Sequence, residues 1–147
     1  MSNDIQLRNV ELSDLPIFYE HQLDAESTRM AAFPSRDREA FDKHWTTNIL
    51  GNANAITRTI VADGHVAGNI GSWLQDDVRL IGYWIGKEHW GKGVATRALA
   101  AFLKIVTERP IYAQVAKHNV GSIRVLEKCG FELEHEENVE LIFIRTR

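Results

Sequence analysis

The chain has 147 residues, of which 44% are hydrophobic and 25% charged, with a formal net charge of -3. That length suits one ordinary domain, residues 1–147, with a sizeable core and a globular composition. The charge leaves no basic footprint for nucleic acid, no run approaches the ~20 apolar residues of a membrane span, and the single Cys129 excludes an internal disulfide.

The opening MSNDIQLRNV lacks the basic and apolar regions of a signal peptide, so the expected location is the cytoplasm. Residues 5–10 alternate apolar and polar, as a half-buried strand does. Ser13 and Asp14 offer a helix cap, with Pro16 near the first turn, and a helix is expected to about Gln22. Residues 24–28 are polar and read as a loop or short turn. Ser35 is expected to cap a second helix, on which Phe41, Trp45 and Ile49 share one face. Leu50, Gly51 and Asn52 stop it. Residues 55–62, 66–74 and 78–85 then read as an antiparallel meander, turned at Asp63-Gly64 and at residues 75–77.

Next comes Trp90-Gly91-Lys92-Gly93-Val94-Ala95-Thr96, a glycine turn running straight into a helix over residues 94–108. Two glycines one residue apart permit torsions closed to other residues and let another molecule approach the main chain. The first N–H groups of the helix lack intrahelical partners, which makes an anion site suited to phosphate. Neither the P-loop pattern nor G-x-G-x-x-G is present. Residues 111–115 read as a strand, Asn119 as the cap of a helix to Lys128, and Gly130 as its C-cap. Strands over 131–136 and 139–144 close the chain.

The run from Asn119 to Phe131 contains N-x-x-S-x-x-x-x-E-K-x-G-F: Asn119, Ser122, Glu127, Lys128, Gly130 and Phe131. With Gly93 and Ala95 upstream in a Q/R-x-x-G-x-G/A frame, it resembles the GNAT N-acetyltransferase family. Trp90 departs from the usual glutamine or arginine, and the W-G-K-G-x-A-T turn is most similar to the RimJ/RimL-like branch. The resemblance implies a mixed α+β fold, ordered β-α-α-β-β-β-α-β-α-β-β, splayed between the fourth and fifth strands. It implies acetyl-CoA as donor, a primary amine as acceptor and no metal.

It also implies roles. The backbone of Ile85 and Lys87 would hold the pantetheine arm, with the Ile85 N–H facing the thioester oxygen. The N–H groups of Gly91, Lys92, Gly93, Val94, Ala95 and Thr96 would hold the pyrophosphate, with Trp90 packed alongside. Asn119 would bond the arm, although its propensity alone explains it as a cap. The family's thiol-side tyrosine position is Leu126 here. Ser122 is therefore the candidate thiol-side donor; its plain reading is a helix residue bonded locally. Lys87, Lys92 and Lys128 could neutralise phosphates. For a base, Glu26, Asp76, Asp77 and Tyr83 remain, or water alone. The six histidines show no paired ligand spacing. A protein or peptide α-amine is the first-choice acceptor and a small-molecule amine the second; a non-catalytic acyl-CoA module is the rival class. Either a monomer or a homodimer fits.

Overall fold

A computed structural model describes residues 4–31 and 36–147. Its strands are β1 (Ile5–Arg8), β2 (Ile56–Ala62), β3 (His65–Gln75), β4 (Val78–Ile85), β5 (Ile111–Ala116), β6 (Glu132–Glu136) and β7 (Glu140–Arg145). Its helices are α1 (Leu15–Leu23), α2 (Ala25–Ala31), α3 (Arg38–Lys43), α4 (Val94–Phe102) and α5 (Val120–Lys128). The strands form one seven-stranded sheet in the order β1-β2-β3-β4-β5-β7-β6. Two tight turns build its first half. Asp63 and Gly64 have φ of 50° and 83°, and Asp76 and Asp77 have 53° and 64°. Left-handed pairs of this kind match the twist of a two-residue hairpin.

Among the described residues the one parallel junction, β4 with β5, is paired at Leu80 and Tyr112 alone. Beyond that rung the strands part, as the resemblance implies. Helix α4 crosses the sheet and buries Val94, Ala98, Leu99 and Phe102 against Ile60, Ile70, Ile81 and Ile111. The other face is covered by Leu15, Phe18, Phe41 and Trp45.

Buried Asp14 ties α1 to the sheet. It accepts two bonds of 2.8 Å from Arg8, one of 2.9 Å from the Glu11 N–H and one of 2.7 Å from the Thr59 hydroxyl. Burial alone would raise its pKa, but these donors outweigh it and hold the carboxyl down to about 2. Its side chain thus serves the sheet and not the α1 N-terminus, where the sequence suggests a cap.

Three other expectations shift. Residues 25–31 are helical: Asp24 accepts from the Ser27 N–H and hydroxyl, both at 2.8 Å, and so caps α2. Ser35 lies outside the described residues, and Asp37 caps α3 by accepting from the Ala40 N–H at 2.8 Å. Helix α4 ends at Phe102, short of residue 108. There the Lys104 and Ile105 N–H groups turn to carbonyls three residues back, and Arg109 donates to the Leu103 and Val106 carbonyls. No helix among the described residues is long and apolar enough to cross a membrane.

Candidate active site

Where β4 and β5 separate, a cavity of about 470 Å³ opens between the β4 end, the glycine turn, α2 and α5. Gly91 and Gly93 have φ of 75° and 76°, so both need the left-handed region that glycine enters without strain. Nothing lies within 4 Å of where a Gly91 Cβ would stand. The Trp90 indole N–H donates to the Ile85 carbonyl at 2.9 Å and clasps the turn to the end of β4.

Ladder geometry explains the role open to Ile85. The Gly86 N–H donates to the Ala67 carbonyl at 2.8 Å, so the alternation of an antiparallel pair turns the amide of Ile85 away from β3. Its N–H therefore points toward the gap. An acyl-CoA thiol arm fits such an edge, because the unpaired β4 backbone offers main-chain donors and acceptors. The open space over Gly91 and the free N–H groups at the start of α4 suit a diphosphate.

On the α5 side, Asn119 accepts from the Ser122 N–H at 3.3 Å and caps the helix. The Ser122 hydroxyl meets the Tyr83 hydroxyl at 2.5 Å across the gap. Burial pushes the Tyr83 pKa up to about 12 against the opposing bond from Ser122, so the phenol keeps its proton at neutral pH. A tyrosine in that state donates and does not serve as a base.

Ile85, Trp90, Gly91, Gly93, Val94, Ala95, Thr96, Asn119, Ser122 and Lys128 all line this cavity. Lys87 and Lys92 stand outside the lining. The Lys87 ammonium is paired with Glu26 at 2.6 Å, and the Lys92 carbonyl accepts from Arg97. That pairing also occupies Glu26. Asp76 and Asp77 hold the exposed β3–β4 turn. His118 lies 2.6 Å from the Arg29 carbonyl. The sequence reading missed Ser27, Met30 and Ala31, which α2 contributes to the lining; the Asp24 cap was their available signal. Among the described residues no group of three or more His, Cys, Asp or Glu could hold a metal ion.

A second cavity of about 590 Å³ lies on the other face of the sheet. Phe18 and Gln22 of α1 and Phe41 of α3 form part of it, with β3 and β4 as its floor. Another wall is a π-helical turn, His44–Ile49, closed by the Leu50 N–H donating to the Trp45 carbonyl at 2.8 Å. Such turns recur at functional sites. The two cavities share Tyr83 and Trp84, adjacent residues of β4 beside the gap.

The family model for an acetyltransferase (GNAT) domain matches residues 4–132. An uncharacterized N-acetyltransferase, p20, of Bacillus licheniformis is 32% identical over 143 residues, which is 88% of this chain and 80% of that protein. Among solved structures, an aminoglycoside acetyltransferase in complex with coenzyme A is similar with a TM-score of 0.84 at 18% identity, covering 98% of this chain and 95% of that one. RimL, a ribosomal L7/L12 alpha-N-protein acetyltransferase in complex with coenzyme A, has a TM-score of 0.81 at 20% identity, covering 99% and 95%. Both structures have the fold seen here.

Proposed function

We propose that this chain, which belongs to the GNAT family and is an acetyl-CoA-dependent N-acetyltransferase, acetylates the α-amine of a protein or peptide. One observation supports a two-substrate reaction above all. Two cavities on opposite faces of the sheet meet at Tyr83 and Trp84, where β4 parts from β5. The donor would enter from the α4–α5 face and the acceptor from the α1–α3 face. The W-G-K-G-x-A-T turn favours the RimL-like branch, and the acceptor cavity has room for one or two residues of extended chain.

In this reading the free amine attacks the thioester carbonyl, a C–N bond forms and the C–S bond breaks. The Ile85 N–H is the donor to the oxyanion; loss of a comparable donor costs roughly 3–4 kcal/mol in other enzymes. The hydroxyl pair of Ser122 and Tyr83 supplies a proton to the departing thiolate and regains one from the amine through water. No carboxylate among the described lining residues of either cavity offers a base. The Gly91–Thr96 amides hold the diphosphate, and Asn119 orients Ser122.

Incubation with acetyl-CoA and a mixture of unblocked peptides tests the assignment, with N-terminal acetylation expected by mass spectrometry. Ser122→Ala and Tyr83→Phe are each expected to lower kcat on the order of 10²-fold, with a smaller change in the KM for acetyl-CoA. Unchanged kcat in both would remove the pair from the chemistry. Acetylation of free amines but of no peptide would transfer the chain to a small-molecule role.

A further inference from the structure

We infer, on the reading above, that the α1–α3 cavity selects an acceptor whose amine carries a neutral aromatic or aliphatic body and rejects polycations. Its walls are rings: Phe18, Phe41, Trp45, Trp73, Tyr83 and Trp84. Phe18 and Trp45 are packed with centroids 5.0 Å apart, a preformed apolar surface. Between the rings lie neutral amides, among them Asn48, Asn52 and Asn69.

Charge is the deciding feature. No Asp or Glu is among the described residues that line the cavity, whereas Arg36 and His44 are. Burial and then the nearby Arg36 charge lower the proton affinity of His44, so a further positive charge beside it is disfavoured. Two acids on the flanking helices α2 and α3 are paired elsewhere. Asp42 pairs with Arg38 at 3.1 Å, and Glu26 with Lys87 at 2.6 Å. Asp76 and Asp77 belong to the exposed turn beyond Gln75. A spermidine or kanamycin molecule would bring several ammonium groups into this space with no counter-charge, and each would lose hydration without compensation. An α-amine on a phenylalanine or leucine residue brings one charge, which must be lost before attack, and a side chain that the rings accept. Selection by a withheld partner is a recognised form of specificity.

The test is kcat/KM for tetrapeptides identical except for a first residue of phenylalanine, serine or lysine, with spermidine and kanamycin in parallel. The phenylalanine peptide is expected to exceed the lysine peptide by about tenfold, a difference of about 1.4 kcal/mol, with both polycations at background. Asn48→Asp puts a carboxylate on the exposed rim of the wall. It is expected to raise spermidine turnover about tenfold relative to the phenylalanine peptide. Spermidine or kanamycin consumed by the unaltered enzyme as fast as the phenylalanine peptide, or no gain in Asn48→Asp, would overturn the inference. Calorimetry with the coenzyme A-bound protein separates the two readings. No turnover of any amine defeats the peptide role, yet phenethylamine binding more tightly than spermidine still supports the selectivity, and the reverse order overturns it.

Discussion

The cavity on the α4–α5 face has side chains such as Met30, Trp90 and Arg124 in its lining, but the features that suit it to the donor are main-chain ones: two left-handed glycines, the first amides of a helix and the unpaired edge of β4. The cavity on the α1–α3 face is built from side chains, above all rings carried by α1, α3, the π-helical turn, β3 and β4. A donor group common to many reactions can be held by backbone, whose conformation survives most substitutions. An acceptor must be told apart from its rivals, and only side chains can do that.

The largest expected effect strikes the anchor of the side-chain half. Asp14→Asn leaves Arg8 and Thr59 facing a neutral amide and loosens α1, which carries Phe18 and Gln22 of the acceptor wall. A loss of about 3 kcal/mol is expected in urea unfolding. The folded pKa of about 2 lies below the unfolded value of 3.8. The stabilisation is therefore complete above about pH 4 and lost as pH falls toward 2. It amounts to about 2 kcal/mol, and the acid-dependent loss should be absent from the variant. A wild-type stability flat between pH 4 and 2 would contradict this anchor.

Next in size is a Cβ added to the backbone half. Gly93→Val forces a β-branched residue to φ 76° and brings its Cβ within 3.2 Å of the Arg97 guanidinium. Strain of about 1–2 kcal/mol should appear as a roughly tenfold rise in the KM for acetyl-CoA, while the acceptor KM holds. Equal changes in both constants would break the division between the halves. The smallest effect is the mirror experiment. Trp73→Ala removes a ring that packs over Gly82 in the acceptor floor. The acceptor kcat/KM should fall by about fivefold, for roughly 1 kcal/mol of lost contact, with acetyl-CoA binding unaffected.

The same division governs how much could be read in advance. The backbone site was visible because its torsions demand particular residues: Gly91 and Gly93 where φ is positive, Asn119 where a helix begins. The meander was visible from Asp63-Gly64 and the alternation around it. The acceptor cavity was not. Phe18, Trp45, Trp73 and Trp84 come from separate elements and meet only through packing. The helical spacing of Phe41 and Trp45 signals a buried face without signalling a cavity beside it. The contact between Tyr83 and Ser122 spans 39 positions and depends on the β4–β5 gap. Local polarity misled at α2, where Asp24 outweighs a run that resembles a loop. Apolar pattern misled at α4, where Val106 is buried although the helix has already tightened and ended.

The single rung between Leu80 and Tyr112 has one more consequence. It leaves the two halves of the sheet joined edge to edge at one point, so the amides along the facing edges of β4 and β5 are expected to exchange with solvent deuterium as though they bordered two separate sheets. Coenzyme A lying between them would act as a surrogate strand, and the slowing of that isotope exchange on its addition would map, residue by residue, how far the wedge is filled.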